Sequence, residues 1–239
     1  MAQKHKQESQ SIRGMFSSIA GHYDLLNHIL SLGADIRWRK DMVKEVHGQG
    51  KAPILDLATG TGDVALTLVR NIPGEIKIVG VDFTIPMLDQ AAAKVRTGGK
   101  GRITLTAGDA MALPFPDCTF SAVTIAFGLR NLPDRPTGLN EMFRVLKPGG
   151  RVIVLEFSPM DHRLLGPLFR FYFHHVLPVL GGMISGRSGA YRYLPSSVDS
   201  FPNPGDLSEK MSETGFEQVR FRPLTFGIAF LHVGEKPAC

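Results

Sequence analysis

Carboxylates flank a glycine-rich turn early in the chain. Asp56 precedes Gly60-Thr61-Gly62, Asp63 follows it directly, and Asp82 comes about 20 residues later. Glycines in such a turn let the backbone come close to a ligand, and a helix that starts there points free N–H groups at it. Residues 60–65 fit the G-x-G-x-x-G/A pattern of dinucleotide sites. However, acids on both sides of the turn would repel a pyrophosphate. They favour a positively charged nucleoside, and S-adenosylmethionine (SAM), with its ammonium and sulfonium groups, is the common one.

Two later apolar runs also end in acids, and these acids suit the ribose and the adenine of such a nucleoside. Asp82 ends the run 76–81, where nucleoside-binding α/β folds place the carboxylate that accepts both ribose hydroxyls. Asp109 follows the run 102–107, and its predicted role is a hydrogen bond to the adenine amino group. The alternative for these acids is that they are ordinary turn residues at the ends of strands.

Apolar runs and helical patterns alternate along most of the chain, which predicts a doubly wound α/β sheet. The carboxyl ends of parallel strands share one edge, so the glycine turn and the acids should meet there. The short link 222–225 requires the last two strands to be antiparallel. The predicted strands are 54–56, 76–82, 102–107, 119–126, 151–157, 216–221 and 226–233. Helices are expected at 12–32 (one or two short ones), 33–46, 64–70, 86–96, 136–146 and 204–214.

Length and composition indicate one domain. The chain has 239 residues, 43% of them hydrophobic, which is enough for one substantial core. We expect this domain at 12–239, after a polar, flexible tail at 1–11 that has no apolar signal segment. The net charge of +5 fits nucleic acid or an anionic membrane surface, and it is also within the ordinary range. Cys118 and Cys239 lack metal-ligand and CxxC spacing, so a reducing cytosol is expected, with neither a metal site nor a disulfide.

The composition changes after the fifth predicted strand. Residues 164–185 are apolar and aromatic, but they are interrupted by charged residues, prolines and glycines. This is too interrupted to span a bilayer. It suits an apolar lid or a surface that contacts lipid, and an ordinary core helix is the equal alternative.

Seven segments resemble the menaquinone/ubiquinone C-methyltransferase family (UbiE/COQ5-type), over roughly 12–236. RVLKPGG at 144–150 occurs in many methyltransferases, whereas FGLRN at 127–131 and YD-x-x-N at 23–27 are more particular to this family. The segments are 16–27, 58–63, 124–131, 144–151, 155–158, 191–194 and 224–228.

The resemblance implies a Rossmann-like class I SAM-dependent methyltransferase fold. Its α/β sheet would have seven mostly parallel strands with an antiparallel last strand. N-terminal helices at 12–48 and a substrate lid inserted at 159–203 would complete it. The implied reaction is SAM-dependent C-methylation of the ring of a reduced, prenylated demethylquinone in respiratory quinone biosynthesis. Demethylmenaquinol is favoured because 193–198 and 200–202 look closer to menaquinone-type members, and a polyprenyl-methoxybenzoquinol is the other substrate considered.

The resemblance also carries expectations about location and the SAM site. It implies a cytoplasmic protein that contacts the inner face of the membrane transiently and can form a homodimer. The family's SAM contacts fall on Thr61, Asp82 and Asp109 with Ala110, which adds to the turn residues Asp56, Gly60 and Gly62. Ala126 stands where some members have a serine that touches SAM, so this contact is lost or made by the backbone. Thr59 stands where a glycine is common.

The implied chemistry needs a stabilised phenolate and an acceptor ring aligned with the methyl group. Arg130 and Asn131 should face the methyl group from the loop after the fourth strand. Since a guanidinium is not deprotonated at working pH, Arg130 is assigned to phenolate stabilisation rather than to a base. Tyr23 and Asp24 would complete the acceptor side. The alternatives are a surface salt bridge for Arg130 and helix packing and capping for Tyr23 and Asp24. No metal is needed.

Three other functions would account for part of the sequence. A methyltransferase for another small aromatic or lipid acceptor would share the SAM site but not the FGLRN and N-terminal segments. An RNA methyltransferase would suit the basic charge, but the chain lacks interleaved aromatic and basic residues, so no nucleic-acid partner is expected. A non-catalytic SAM-binding regulator should have a damaged glycine turn or substrate loop, and neither is damaged.

Overall fold

Seven strands form one sheet in the computed structural model, which describes residues 2–24, 28, 31, 33–46, 51–99, 101–159, 171–176 and 188–238. The strands are β1 (Ile54–Leu57), β2 (Ile78–Asp82), β3 (Ile103–Ala107), β4 (Phe120–Ala126), β5 (Leu146–Phe157), β6 (Glu217–Leu224) and β7 (Ala229–Glu235). They lie in the order β3-β2-β1-β4-β5-β7-β6. The first five are parallel, and β7 is antiparallel to both of its neighbours.

Helices cover both faces of this sheet, so the central strands are buried on both sides. Leu55 and Leu57 of β1 face one apolar cluster and Ile54 faces the other, and each is at most 1% exposed. The helices are α1 (Ala2–Ile19), α2 (Ala34–Lys44), α3 (Asp63–Asn71), α4 (Ile85–Gly98), α5 (Arg135–Val145), α6 (Ser188–Asp199) and α7 (Pro204–Glu213). Short 3₁₀ turns lie at Ala20–His22, Leu129–Asn131 and Thr225–Gly227, and a π turn lies at Tyr172–Val176.

The predicted fold class is confirmed, including the alternation of strands and helices and the antiparallel last strand. The larger differences lie at element ends. β6 extends to Leu224, so most of the predicted link 222–225 is strand. The stretch 1–11, expected as a flexible tail, is helical from Ala2 onward. β5 begins at Leu146, five residues earlier than predicted. The early start reflects the pairing of Leu146 with Phe120 of β4, ahead of an irregularity in the register. Gly149 lies in this segment with a left-handed backbone (φ 72°), and its N–H donates to the Lys236 carbonyl.

The predicted insertion at 159–203 is described only in part. The described portions are 159, 171–176 and 188–203, so most of the apolar stretch 164–185 lies outside the described residues and its lid role stays a prediction. α6 belongs to this insertion and meets α1 in a small apolar cluster around Ile19 and Val198. Among the described residues, no helix is both long and apolar enough to cross a bilayer.

β6 forms one edge of the sheet and is mostly exposed. Its solvent-exposed residues include Arg220, Arg222 and Pro223.

Candidate active site

A cleft opens at the carboxyl ends of β1, β2 and β4, the edge where open α/β sheets bind ligands. It encloses about 770 Å³, including its open mouth. The lining residues are Phe16, Tyr23, Leu57, Ala58, Gly60, Val81, Asp82, Phe83, Thr84, Met87, Gly108, Asp109, Ala110, Met111, Ala126, Phe127, Gly128, Asn131, Leu132 and Pro133. The predicted site residues divide between this lining and the layer behind it. Those in the lining are Tyr23, Gly60, Asp82, Asp109, Ala110 and Asn131, and those outside it are Asp24, Asp56, Thr61, Gly62 and Arg130.

The glycine turn after β1 takes a shape that requires its glycines. Gly60 and Gly62 have left-handed backbones, with φ of 54° and 85°, a conformation that costs glycine nothing. A Cβ on Gly62 would also lie 3.2 Å from Cβ of Ala91 on α4. The glycines therefore let the turn curl over the cleft and let α3 pack close to α4.

Asp82 connects the end of β2 to this turn. Its carboxylate accepts the Gly60 N–H at 2.9 Å and the Thr84 N–H at 2.8 Å. Burial raises the pKa of the Asp82 carboxyl. A carboxylate has about four acceptor sites, so this one can also accept hydroxyl groups from a ligand in the cleft. This position suits the predicted ribose contact, which remains a proposal.

Asp56 lies beneath the turn instead of in the lining. It is 1% exposed, and its two oxygens lie 2.5 Å from Thr59 Oγ1 and 2.9 Å from Thr124 Oγ1. Burial raises the pKa of the Asp56 carboxyl to about 7. Thr124 Oγ1 also lies 3.3 Å from the Leu55 carbonyl oxygen. A proton on Asp56 would let this hydroxyl donate to Leu55 while accepting from the acid. The geometry gives Asp56 a part in shaping the turn.

The loop after β3 forms the far side of the cleft. Asp109 is exposed and accepts the Met111 N–H at 2.9 Å, while Ala110 is buried. Phe83, Met87 and Met111 also line the cleft, with apolar side chains. They were not predicted as site residues. The available signal was that Phe83 directly follows Asp82, the acid expected at the ribose.

The N-terminal segment supplies an aromatic wall. Phe16 and Tyr23 both line the cleft, with their rings in an edge-to-face arrangement and centroids 6.1 Å apart. Asp24 points elsewhere. It forms an ion pair with Lys94 of α4 and accepts the Thr61 hydroxyl at 2.5 Å. Thr61 is 3% exposed, so its side chain contacts this ion pair rather than the cleft.

Two strained residues meet where β1 and β4 end. Ala58 and Phe127 line the cleft with left-handed backbones, φ 51° and 56°, which is uncommon for residues other than glycine. Gly128 permits their approach, because a Cβ on it would lie only 2.6 Å from Cβ of Ala58. Such strain persists where surrounding structure holds it, and it is concentrated at ligand sites.

Arg130 was predicted to face the transferred methyl group, and the structure places it differently. Its guanidinium is 5% exposed, forms an ion pair with Glu156 at 2.6 Å and donates to the Phe127 carbonyl at 2.6 Å. It also lies over the Phe157 ring. The physical reason is that Glu156, at the end of β5, is itself buried and needs a cation. Asn131 does line the cleft. Its amide donates to the same Phe127 carbonyl at 3.1 Å and accepts from the Tyr193 hydroxyl at 3.1 Å.

The charges around the cleft fit SAM. Among the residues that the structure describes, its lining carries the carboxylates of Asp82 and Asp109 and no lysine or arginine. This favours a nucleoside with positive charge and disfavours a pyrophosphate. Val81, Phe83 and Met87 provide an apolar wall beside Asp82, as an adenine ring requires.

Solved structures share this fold at low sequence identity. A SAM-dependent methyltransferase of Thermotoga maritima, described as a possible histamine N-methyltransferase, matches with a TM-score of 0.67 at 18% identity, covering 94% of this chain and 99% of that one. The [4+2]-cyclase SpnF matches with a TM-score of 0.72 at 17% identity and 97% coverage of both chains.

The fold is therefore that of class I SAM-dependent methyltransferases. A model of the ubiE/COQ5 methyltransferase family matches residues 3–236, and the chain belongs to this family. A demethylmenaquinone methyltransferase of Thermus thermophilus is 52% identical, covering 93% of this chain and all of the relative. One of Deinococcus radiodurans is 50% identical, covering 96% and 94%. A ubiquinone/menaquinone biosynthesis C-methyltransferase of Geobacter sulfurreducens is 49% identical, covering 96% and 90%.

Proposed function

We propose that this enzyme transfers the methyl group of SAM to a ring carbon of a reduced demethylquinone, with demethylmenaquinol as the favoured acceptor. The observation that carries the proposal is one cleft with two different halves. Asp82, Asp109 and the backbone of the glycine turn at Gly60 form the first half, and aromatic side chains form the second. The relatives named above support the quinol class, and those from Thermus and Deinococcus are named for demethylmenaquinone.

In the first half, Gly60, Asp82, Asp109 and Ala110 would hold SAM, with Asp82 at the ribose and the Asp109 loop at the adenine. When bound, SAM supplies an electrophilic methyl group. Asp56, Thr61 and Gly62 do not line the cleft. They would support SAM binding indirectly, by shaping the glycine turn.

In the second half, Phe16, Tyr23, Phe127 and Asn131 would receive the acceptor ring. A hydroquinone ring becomes a carbon nucleophile as one hydroxyl loses its proton. The protein must therefore orient the ring, stabilise negative charge on oxygen and exclude water. Tyr23 and Asn131 bring the polar groups to this end of the cleft.

Arg130 remains part of the acceptor half in this proposal, but it acts through its neighbours. Both Arg130 and Asn131 donate to the carbonyl of Phe127, the strained residue in the cleft wall. Arg130 therefore holds the loop that presents Asn131, while its charge balances buried Glu156. We expect its removal to lower turnover more than SAM affinity.

Mass spectrometry tests the acceptor. The protein is incubated with SAM and with reduced demethylmenaquinone or a reduced polyprenyl-methoxybenzoquinone in turn. The expected product is the naphthoquinol 14 mass units heavier, with the methyl group on ring carbon. A methylated product from the benzoquinol alone would reassign the substrate, and no product from either would refute the quinol proposal.

The proposal extends to the membrane surface, because a prenyl tail keeps the acceptor in the bilayer. The stretch 164–185 would handle the tail, and the enzyme would act at the inner face as a cytoplasmic protein, alone or as a homodimer. Flotation with liposomes that contain or lack anionic lipid tests the contact, and absence of the protein from both floated fractions would refute it. Sedimentation equilibrium tests the dimer.

A further inference from the structure

The Lys94 ammonium on α4 joins elements that meet beside the cleft. Its Nζ forms ion pairs with Asp24 and with Asp63, the second at 2.7 Å, and it donates to Thr61 Oγ1 at 3.1 Å. A lysine has three N–H donors, and these contacts use all of them. The Thr61 hydroxyl in turn donates to Asp24 Oδ1 at 2.5 Å, so both oxygens of Asp24 are engaged. We call these four residues the Lys94 cluster.

The cluster connects two parts of the cleft wall. Asp24 directly follows Tyr23, which belongs to the N-terminal wall. Thr61 directly follows Gly60, whose N–H donates to Asp82 on the SAM side. One ammonium group therefore ties the wall that the N-terminal segment provides to the glycine turn.

Charge explains why Lys94 is needed there. The carboxylates of Asp24 and Asp63 contact the same ammonium. Arg39 also reaches Asp63, at 3.3 Å, but it lies closer to Asp35, at 2.6 Å. Without Lys94 the carboxylates of Asp24 and Asp63 would repel each other at short range. The side chains of the cluster's ion pairs are 25–31% exposed, so solvent screens part of this effect.

We propose that Lys94 is a positioning residue that keeps the N-terminal wall closed over bound SAM. Asp24 then acts in closure and not on the acceptor ring. A closed wall slows release of the nucleoside and keeps water from the methyl group. The inference rests on the proposed SAM site, but it does not depend on which quinol is methylated.

The first test measures release of S-adenosylhomocysteine. The chain has a single tryptophan, Trp38, whose ring centroid lies 6.1 Å from that of Phe127 in the cleft wall, so its fluorescence can follow dissociation in stopped flow. We expect Lys94→Met to raise the dissociation rate about three- to tenfold, since two partly exposed ion pairs are lost. Lys94→Arg should stay within about twofold because it keeps the charge. The matched control is Lys44→Met, which removes a lysine paired only with Asp41 at the surface and should change nothing.

The second test needs no ligand. Amide hydrogen exchange over residues 16–24 should be faster in Lys94→Met than in wild type, while exchange in the central strands is unchanged. Asp24→Asn removes the same ion pair from the other side and should give the same result, and the double variant should be no worse than either single one. Unchanged exchange over 16–24 in both single variants would overturn the proposal. A wild-type protein that binds no S-adenosylhomocysteine would instead overturn the SAM site, and exchange alone would then decide the role of Lys94.

Discussion

The N–H of Gly60 donates to the carboxylate of Asp82 at 2.9 Å, across 22 positions of sequence. This bond fixes the glycine turn after β1 to the end of β2. The same carboxylate accepts the Thr84 N–H at the start of α4. Asp82 thus shapes the cleft as well as lining it. A change at this residue should remove a contact to the ligand and also loosen the glycine turn.

Asp82→Ala should therefore weaken binding of S-adenosylhomocysteine by about 100-fold, because hydrogen bonds to a charged group are lost and the Gly60 N–H is left unpaired. Asp82→Asn keeps one acceptor oxygen and should lose less. Calorimetry measures both affinities. Glu209→Ala, on the exposed surface of α7, is the control. Wild-type affinity in Asp82→Ala would remove Asp82 from the SAM site.

The buried pair of Arg130 and Glu156 should be costly to break. Removing one partner leaves an uncompensated buried charge, so Arg130→Ala should lower the free energy of unfolding by about 3–5 kcal/mol. Replacing both residues with methionine should recover much of this loss. Urea unfolding measures each variant, and single-turnover kinetics on the folded fraction measures catalysis. We expect turnover to fall more than SAM affinity.

A surface pair provides the comparison for this experiment. Arg220→Ala breaks an exposed ion pair with Glu45 and should cost less than about 1 kcal/mol. If Arg130→Ala costs no more than this control, the guanidinium is not needed to balance Glu156. Equal losses in turnover and in SAM affinity would argue against a role in the acceptor half.

Asp56 should make stability fall as pH rises. Its pKa is about 7 in the folded protein, against an ordinary value of 3.8, so between these values the folded state holds a proton that the unfolded state releases. The contribution is full below pH 4 and is lost as pH approaches 7, amounting to roughly 4 kcal/mol. Asp56→Asn mimics the neutral acid and should gain stability relative to wild type over this window.

Urea unfolding at several pH values measures this difference. Asp89→Asn, at an exposed position of α4, is the control and should show no comparable trend. A difference between Asp56→Asn and wild type that stays constant from pH 4 to 7, or that changes with the opposite sign, would mean that Asp56 is ionised in the folded state.

Tyr193 should matter for the acceptor and not for SAM. Its hydroxyl donates to Asn131 Oδ1 at 3.1 Å, so Tyr193→Phe removes this bond and leaves the Asn131 amide held by its bond to the Phe127 carbonyl. We expect kcat/KM for the quinol to fall about tenfold, which is the loss of one hydrogen bond, while S-adenosylhomocysteine affinity is unchanged. A loss in that affinity of the same size would place Asn131 on the SAM side.

The sheet, and the meeting of the glycine turn with Asp82 at one edge of it, could be predicted from the sequence because their signals are local. An apolar run, a glycine turn and an acid at the strand end specify Gly60 and Asp82 within short stretches, and topology then brings strand ends to one edge. Family-specific segments added the acceptor class, which no spacing of acids could supply.

Side-chain direction could not be predicted in the same way. FGLRN correctly indicated a loop at the cleft, but only the fold shows that Glu156 is buried beside it and attracts Arg130. Asp24 and Lys94 are similar, because their contact joins residues that are distant in sequence. Such pairs depend on tertiary packing, and no periodic pattern in a single sequence indicates which distant residues will meet.

The exposed edge strand β6 bears on how this protein behaves at high concentration. An open strand edge offers unpaired N–H and C=O groups to another molecule and can seed aggregation. Arg220 and Arg222 would bring like charges together if two such edges met, and Pro223 has no N–H to donate. Direct pairing of this edge with the β6 edge of a second molecule is therefore disfavoured.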